Sequence, residues 1–462
     1  MERLTLGEVL RAVNGTLLGA FVDENAPVDG VSTDSRTVRE GELFVPLTGE
    51  RFDGHAYINM ALEQGAAGCF TARERESYLP GKFYIKVASP LRALRDLAAY
   101  YRTKFPVPLI GVTGSVGKTT TKEMVAAVLS TRYKVLKTEG NLNSREGMPM
   151  MLLRLDSSHE IAVIEMGMSQ AGEIEYLSRA ACPDVAIITN VGDAHIENLG
   201  SRENILKAKC EIFRHLKPDG LAILDGDDEL LAGLSGTLPF ETVYCGTGGN
   251  CGFRAEDIRS GEGTTLCTAH TPVGDMALSI PALGQHMIYP ALFAAAVGSR
   301  FGLSREEICK GVEQFQPTKM RMNVLHRGEK ITILDDAYNA NPQSMRAAIG
   351  VLAESRSPFK MAVLGDMFEL GSLAPMLHAG VGEFVGRSGV DCMVAVGEMA
   401  VHIADAAEKA GVPAVFRCPD KGSAIPILKE QLRPDSTVLV KASRGMAMEE
   451  LVDYLKQITT EE

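Results

Sequence analysis

The segment Gly111-Val-Thr-Gly-Ser-Val-Gly-Lys-Thr-Thr-Thr-Lys122 joins an apolar run, Val107–Val112, to a stretch with the composition of a helix. A strand, a glycine-rich turn and Lys-Thr at the start of a helix form the arrangement that holds nucleotide phosphates. The usual spacing, Gly-x-x-x-x-Gly-Lys-Ser/Thr, is not met because position 112 is Val. The loop instead reads Gly114-x-x-Gly117-Lys118-Thr119. The segment predicts a nucleoside triphosphate held by Gly114, Ser115, Val116, Gly117, Lys118, Thr119 and Thr120.

Bulk composition indicates a soluble protein of several domains. The 462 residues exceed one ordinary hydrophobic core, so we expect about three domains. A formal net charge of −12 argues against nucleic acid as the main partner. Nine cysteines without a Cys-x-x-Cys pair favour free thiols, and there is neither a signal-peptide start nor a bilayer-spanning apolar run. We therefore expect a cytoplasmic protein that neither binds nucleic acid nor inserts into a membrane.

Three stretches of the chain differ in pattern. Residues 1–90 have short β-like runs, residues 91–316 alternate strands and helices, and residues 317–462 restart that alternation. Short Val/Ile-rich strands alternating with helices predict a mostly parallel sheet, with ligands at the carboxyl ends of its strands. The fold class is therefore α/β, with a small α/β N-terminal domain, a central P-loop ATPase-like parallel-sheet domain and a Rossmann-like C-terminal domain.

Individual elements of the central stretch follow from this alternation. Strands are predicted at 108–112, 134–138, 161–165, 185–190 and 221–225, and helices at 118–131, 171–180, 202–216, 286–300 and 304–315. Residues 240–280 are β-rich and are expected to add antiparallel strands. In the last stretch, strands are predicted at 331–334, 361–364, 392–396, 414–416 and 438–441.

Polar side chains at predicted strand ends are candidates for the site. Glu165 ends an apolar run, where a carboxylate can hold Mg²⁺ directly or through water, the alternative being an acid on a surface loop. His195 follows the next strand and is either a ligand or a packing residue. Lys209 lies on a predicted helix and, taken alone, indicates a solvated side chain. Asp335–Pro342 follows the first strand of the last stretch and offers donors and acceptors besides forming a turn.

Segments spread along the chain resemble, in order, those of the Mur ligases, the ATP-dependent amide-bond-forming enzymes of peptidoglycan precursor synthesis. They are Ser32-Thr-Asp-Ser-Arg36, Phe52-Asp-Gly-His55, Thr113 to Glu123, Glu165-Met-Gly-Met168, Thr189-Asn-Val-Gly192 with His195-Ile-Glu197, Ala208-Lys-Cys-Glu-Ile-Phe213, Asp335–Pro342, Gly365-Asp-Met-Phe-Glu-Leu-Gly371 and Lys441-Ala-Ser-Arg-Gly-Met446. Within the family, Tyr338–Pro342 and Gly365–Gly371 point to the member that adds D-alanyl-D-alanine.

The resemblance implies the activity and the domain roles. The enzyme would use ATP and Mg²⁺ to join D-alanyl-D-alanine to UDP-N-acetylmuramoyl-tripeptide (UDP-MurNAc-tripeptide) through an acyl phosphate. Residues 1–90 would hold the UDP-sugar, residues 91–316 would bind ATP, and residues 317–462 would close on ATP and receive the dipeptide. A monomer is expected.

The resemblance also implies site residues. Catalytic roles fall to Lys118, Glu165, His195 and Lys209, and further ATP contacts to Arg321, Asp336 and Asn339. The UDP substrate would be bound by Ser32, Thr33, Asp34, Ser35, Arg36, Asn141 and Asn143. Metal would be held by Thr119, Glu165, His195 and Lys209, the lysine being carbamylated so that its ammonium becomes a carboxylate-like group.

The chain departs from the family pattern at two places. After Gly284-Gln-His286 the family usually has Asn-Val-x-Asn, whose second Asn contacts adenine, whereas this chain has Met287-Ile-Tyr-Pro290. Proline has neither the amide donor nor the amide acceptor that adenine would use. Ser144 stands where a third Asn is common. Two alternatives stay open: a sibling Mur-type or folylpolyglutamate synthetase-like amide ligase, and a nucleotide-binding protein without ligase activity.

Overall fold

Three sheets of five, nine and six strands organise the chain in this computed structural model. The structure describes residues 1–19, 23–49, 52–261, 263–327 and 331–457. Among these residues, no helix combines the length and the apolar character needed to cross a membrane.

The first sheet belongs to the N-terminal part of the chain. Its strand order is β2-β7-β6-β5-β4, with only β2 antiparallel to its neighbour, and a short β1–β3 ladder lies beside it. The elements are β1 (Leu4–Thr5), α1 (Leu6–Val13), β2 (Thr16–Leu18), β3 (Pro27–Val28), β4 (Gly30–Ser32), β5 (Glu42–Phe44), α2 (Ile58–Glu63), β6 (Gly68–Thr71) and β7 (Phe83–Lys86). Helix α1 starts at a capping box in which Thr5 and Glu8 satisfy each other's backbone N–H groups.

The second sheet carries the glycine-rich loop. Its elements are α3 (Pro90–Thr103), β8 (Leu109–Thr113), α4 (Lys118–Leu129), β9 (Val135–Lys137), α5 (Gly147–Leu152), β10 (Ile161–Glu165), α6 (Glu173–Ala181), β11 (Val185–Ile188), α7 (Ile196–Leu199), α8 (Arg202–Cys210), β12 (Leu221–Asp225), α9 (Glu229–Ala232), β13 (Glu241–Gly246), β14 (Phe253–Gly261), β15 (Thr264–His270), β16 (Met276–Ile280), α10 (Ile288–Arg300) and α11 (Arg305–Glu313). The strand order is β16-β15-β14-β13-β12-β11-β8-β10-β9.

Strand register places the site at one edge of this sheet. Strand β8 lies between β10 and β11, and its parallel ladders pair Val112 with Glu165 and Thr113 with Ile188. Ile188 pairs in turn with Leu224, next to Asp225 at the end of β12. The carboxyl ends of β8, β10, β11 and β12 therefore meet at one edge, where parallel sheets bind ligands.

Two details of the second sheet differ from the sequence-based prediction. Strands β14, β15 and β16 are antiparallel, as expected, but β13 and the start of β14 pair in parallel. The helix predicted at 202–216 ends at Cys210 and continues as a 3₁₀ turn over Glu211–His215. Ile212 and Phe213 lie in that tighter turn, and both side chains are buried. Their packing against the rest of the protein therefore determines where α8 ends.

The third sheet has the order β17-β18-β22-β19-β20-β21, with only β17 antiparallel to its neighbour. Its elements are β17 (Asn323–Arg327), β18 (Ile331–Asp335), α12 (Pro342–Glu354), β19 (Phe359–Gly365), α13 (Ala374–Arg387), β20 (Cys392–Val396), α14 (Ala400–Lys409), β21 (Ala414–Cys418), α15 (Lys421–Gln431), β22 (Ser436–Lys441) and α16 (Glu449–Gln457). The parallel α/β fold predicted from the sequence is confirmed.

Candidate active site

The glycine-rich loop is held open by the end of the neighbouring strand. Gly114 and Gly117 adopt φ values of +150° and +80°, and a Cβ on Gly114 would lie 1.8 Å from Thr189 Oγ1. Asn190 accepts hydrogen bonds from Ser115 N–H (3.1 Å, to the backbone oxygen) and Val116 N–H (2.9 Å, to Oδ1). Asn190 was missed as an individual site residue, although the segment containing it was noticed.

Lys118, the first residue of α4, folds back onto the loop. Its Nζ donates to the carbonyl oxygens of Gly114 (2.9 Å) and Ser115 (3.4 Å). Burial lowers the pKa of Lys118, and the charge of Glu165 opposes that shift. An amine aimed into a backbone cradle at a helix N-terminus suits the binding of phosphate oxygens.

Glu165 is a buried carboxylate with fixed donors on both oxygens. Thr119 Oγ1 donates to its Oε2 (2.9 Å) and Asn143 Nδ2 to its Oε1 (2.7 Å). Thr138 Oγ1 accepts the Glu165 backbone N–H (2.9 Å), which fixes the strand end. A hydroxyl beside a carboxylate fits Mg²⁺, which takes few protein oxygens and keeps phosphate and water ligands. Among the described residues, no group of three His, Cys, Asp or Glu side chains could hold a metal.

Lys209 corrects the prediction made from its helix alone. Instead of being solvated, the side chain is 1% exposed, on the inner face of α8. Burial lowers its pKa well below the ordinary range, and the nearby charge of Lys118 adds to the shift. The lowered pKa favours the neutral amine, which is the form that reacts with CO₂ to give a carbamate.

His195 connects the second sheet to the third. It has a φ of +62°, and its Nδ1 lies 2.6 Å from Oε2 of Glu369 in the Gly365–Gly371 loop. Hydrogen bonding from His195 lowers the pKa of Glu369. The Glu197 N–H donates to the Glu369 carbonyl (3.3 Å), so backbone and side chain both join the two parts.

Residues at the end of β22 and in the loops before β17 and after β18 complete the phosphate side. Lys441 Nζ lies 2.5 Å from Asp336 Oδ2 and donates to the Asn339 carbonyl (2.9 Å). The guanidinium of Arg321 sits 4.1 Å above the Tyr338 ring. A cavity of about 70 Å³ lies between the sheets and is lined by Ser115, Val116, Gly117, Lys118, Thr119, Arg321, Asn339, Ala340, Asn341, Ser344 and Lys441.

A larger cavity of about 500 Å³ adjoins this one and shares Val116, Gly117, Arg321 and Ser344 with it. Its other lining residues are Thr120, Thr121, Thr189, Asn190, Arg202, Asp225, Asp227, Asp228, Glu229, His286, Met287, Tyr289, Pro290, Phe293, Met322, Asp336, Gln343, Ala347 and Ala348. Tyr289 and Pro290 thus line the cavity, with Tyr289 Oη donating to Asp227 Oδ2 (2.9 Å). A cavity of this size next to a phosphate loop has room for a nucleoside.

Another cavity, of about 420 Å³, opens from Lys118 and is lined by Asn143, Ser144, Arg145, Glu146, Gly167, Met168, Ser169, Glu173 and His195. Lys118 lines both this cavity and the small phosphate-side cavity. A second substrate lying here would meet the phosphates at Lys118. Asn143 has its amide on Glu165, while Asn141 is exposed in the loop before it.

Ser32–Arg36 forms a self-contained turn after β4 in the N-terminal sheet. Ser32 Oγ donates to the Asp34 carbonyl (3.0 Å), and Arg36 pairs with the Asp34 carboxylate through Nε (2.9 Å) and Nη2 (2.7 Å). The hydrogen bond from Arg36 lowers the pKa of Asp34 to about 2. Ser35 is buried, while Thr33 and Asp34 are half-buried and Arg36 is exposed. The hydrogen bonds of this turn do not reach the Lys118 site.

Three protein-family profiles match the chain in order. They are the Mur ligase family catalytic domain over residues 27–102, the Mur ligase middle domain over 112–298 and the Mur ligase glutamate ligase domain over 320–444.

Full-length relatives are also similar to this chain. UDP-N-acetylmuramoyl-tripeptide–D-alanyl-D-alanine ligase of Bacillus subtilis (strain 168) is 39% identical, covering 98% of this chain and 99% of the relative. The enzyme of the same name from Escherichia coli (strain K12) is 36% identical, covering 99% of each chain.

Two solved structures share the fold over nearly all of the chain. A crystal structure of MurF from Acinetobacter baumannii has a TM-score of 0.91 at 33% identity, covering 99% of each chain. MurF ligase from Thermotoga maritima in complex with ADP has a TM-score of 0.84 at 29% identity, covering 93% of this chain and 97% of that one.

Proposed function

The chain belongs to the Mur ligase family, and we propose that it joins D-alanyl-D-alanine to UDP-MurNAc-tripeptide with cleavage of ATP to ADP and phosphate. The observation that carries this function is similarity to UDP-N-acetylmuramoyl-tripeptide–D-alanyl-D-alanine ligases over 98–99% of the chain. The half-buried Lys118 and the buried Glu165 and Lys209 side chains supply the phosphate chemistry that such a ligase needs.

In the first step, the tripeptide carboxylate attacks the γ-phosphate of ATP. We propose that the tripeptide enters through the cavity that opens from Lys118 beside Asn143 and Arg145, while ATP lies in the two adjoining cavities. The γ-phosphate–oxygen bond to ADP breaks as a bond to the carboxylate oxygen forms, giving an acyl phosphate. Phosphoryl transfer depends mainly on the positioning of the reacting groups and on neutralising the charge of the phosphates, which Lys118 and the loop N–H groups provide.

Magnesium is proposed as the cofactor of this step. Thr119 and Glu165 would contact a first ion and His195 a second, with Lys209 contributing once carbamylated. When bound, Mg²⁺ neutralises the charge of the transferred phosphate. Asn143 holds Glu165 in one orientation, so the carboxylate needs little rearrangement to act as a ligand.

In the second step, the amine of D-alanyl-D-alanine attacks the acyl carbon and phosphate leaves from a tetrahedral intermediate. We propose that the C-terminal domain receives the dipeptide and that the Glu369–His195 contact accompanies its closure. Closure excludes water from an acyl phosphate that would otherwise hydrolyse. Arg321, Asp336 and Asn339 would then contact the nucleotide from that domain.

The remaining proposals concern the roles of the domains, the contacts to the UDP substrate, the oligomeric state and the cellular location. Residues 1–90 are proposed as the UDP-sugar domain, with Ser32–Arg36, Asn141 and Asn143 near the UDP substrate. Residues 91–316 form the ATP domain and residues 317–462 the closing domain. We propose a monomeric enzyme that acts in the cytoplasm.

Isotope transfer tests the proposed chemistry. UDP-MurNAc-tripeptide labelled with ¹⁸O in its terminal carboxylate is turned over with ATP and D-alanyl-D-alanine, and both products are analysed by mass spectrometry. One ¹⁸O atom should appear in inorganic phosphate for each pentapeptide formed, because the acyl C–O bond breaks. Pentapeptide without label in phosphate would contradict the acyl phosphate, and the absence of pentapeptide would contradict the ligase function.

A further inference from the structure

Three aspartates, at the end of β12 and directly after it, line the larger cavity, and two of them are occupied with holding the fold. Asp227 accepts hydrogen bonds from Thr247 N–H (2.6 Å), Thr247 Oγ1 (2.9 Å), Gly248 N–H (2.9 Å) and Tyr289 Oη (2.9 Å). Asp228 caps α9 through Leu230 and Leu231 and accepts the Val191 N–H (2.7 Å). Their oxygens have little capacity left for a ligand.

Asp225 differs from both neighbours. Its side chain lines the cavity but is only 8% exposed. Within the described residues it accepts a single hydrogen bond, from the Asp227 N–H to Oδ1 (2.9 Å). That bond fixes Oδ1 as an acceptor and leaves Oδ2 for a partner in the cavity. A buried carboxyl without a full set of partners is costly, so a ligand that donates to it is favoured.

The cavity that Asp225 lines also has the apolar surface that a nucleotide base needs. Met287, Pro290 and Phe293 supply apolar surface on α10 and the turn before it. Pro290 has no side-chain amide for the base edge. The cavity continues to the phosphate loop through Val116 and Gly117, so a nucleotide with its phosphates there would have its base in this pocket.

We infer that Asp225 reads position 6 of the purine base, accepting a hydrogen bond from the exocyclic amine of adenine at Oδ2. The inference rests on the proposed nucleotide site and adds a specificity determinant to it. A 6-amino purine donates to this oxygen, whereas a 6-oxo purine such as that of IDP presents a second acceptor to it. The loss of a hydrogen bond to a charged group corresponds to about tenfold or more in affinity.

The charge state of Asp225 adds a pH dependence. Burial raises its pKa to about 7, and the neighbouring Asp228 and Asp227 carboxylates add to the shift, against hydrogen bonding from the Asp227 N–H. Tyr289 on α10, Cys245 at the end of β13 and Cys251 also face it. Above pH 7 the ionised carboxyl only accepts, so the preference for ADP over IDP should rise. Below pH 7 the protonated form can donate to the 6-oxo group, so that preference should fall.

Nucleotide binding to the full-length chain tests the inference without any ligase turnover. Dissociation constants for ADP and IDP are measured by calorimetry at pH 6 and pH 8 for the native chain, Asp225→Asn and Asp219→Asn. Asp219 is the matched control, because it is an exposed aspartate at the opposite end of β12. Asp225→Asn is nearly isosteric, and its amide oxygen can keep the hydrogen bond from Asp227 N–H.

The native chain and Asp219→Asn should bind ADP at least about tenfold more tightly than IDP at pH 8, and less selectively at pH 6. Asp225→Asn places an N–H₂ donor where Oδ2 was, so its preference for ADP should be lost or reversed at both pH values. Equal binding of ADP and IDP by the native chain, or an unchanged preference in Asp225→Asn, would overturn the inference. If neither nucleotide bound, the nucleotide site of the proposed function would fall, and the inference with it.

Discussion

The two ends of the nucleotide cavity are built in different ways. The phosphate end comes from one continuous segment, Gly114–Thr120, which contains the half-buried amine of Lys118, with the buried Lys209 close to that amine. The base end is assembled from the loop after β12 and the start of α10, and it carries carboxylates. Phosphate recognition depends on backbone geometry that glycines provide locally, whereas base recognition depends on which distant side chains pack together. Phosphate recognition can therefore be predicted from the sequence, whereas the side chains that recognise the base cannot.

The largest effect is expected at the phosphate end, from Lys118→Ala. Loss of the amine removes charge neutralisation where negative charge is transferred, so turnover should fall by roughly 10³-fold. The measurement is ADP release in a coupled assay, with binding of UDP-MurNAc-tripeptide followed separately and expected to be retained. Lys134→Ala, an exposed lysine hydrogen-bonded to Ser158, should behave like the native enzyme. Full turnover in Lys118→Ala would remove the loop from the mechanism.

A smaller loss, on the order of 10²-fold in turnover, is expected for Lys209→Ala, with partial recovery on adding a short carboxylate such as acetate. The carboxylate would replace the carbamate proposed on the buried amine, whose pKa is lowered by burial. Lys207→Ala on the exposed face of the same helix is the matched control and should keep full activity. A defect in Lys209→Ala that no carboxylate relieves would argue against the carbamate.

At the base end, Asp225→Asn is expected to change the stability of the protein as well as its nucleotide preference, and the change in stability depends on pH. The folded pKa of about 7 lies above the ordinary value of 3.8, so ionisation costs the native state stability as pH rises. Relative to Asp225→Asn, the native chain should lose roughly 2 kcal/mol of unfolding free energy between pH 5 and pH 8. Urea denaturation at both pH values measures the difference, and parallel pH dependence in the two proteins would contradict it.

The smallest effect is expected for Tyr289→Phe. This change removes the hydrogen bond to Asp227, whose carboxylate keeps its three bonds from Thr247 and Gly248. The KM for ATP should rise about threefold with kcat nearly unchanged, because loosening Asp227 by one of its four hydrogen bonds weakens the base pocket by about 0.5–1 kcal/mol. Steady-state kinetics decide the matter: an unchanged KM would mean that Tyr289 takes no part in shaping the base pocket.

The same contrast explains what the sequence could and could not predict. Strand β10 lies where periodicity placed it, at Ile161–Glu165, and the register of β8 brings Glu165 beside the loop. The residues of α8 do not show which face of this helix is buried. The burial of Lys209 therefore follows only from packing against the Lys118 site. Asp225 lies at the end of a predicted strand, and that position is the sequence signal that could have marked it as a candidate site residue. Which of the three neighbouring carboxylates stays free depends on hydrogen bonds from Thr247, Tyr289 and Val191, far away along the chain.

The most direct test of the central claim is ATP turnover with UDP-MurNAc-tripeptide in the presence of D-alanyl-D-alanine or of single amino acids. The coupled assay records ADP, and mass spectrometry identifies the peptide product. We expect ADP release that depends on D-alanyl-D-alanine, with one UDP-MurNAc-pentapeptide formed per ADP. Turnover with a single amino acid but not with the dipeptide, or ATP binding without peptide-dependent turnover, would contradict it.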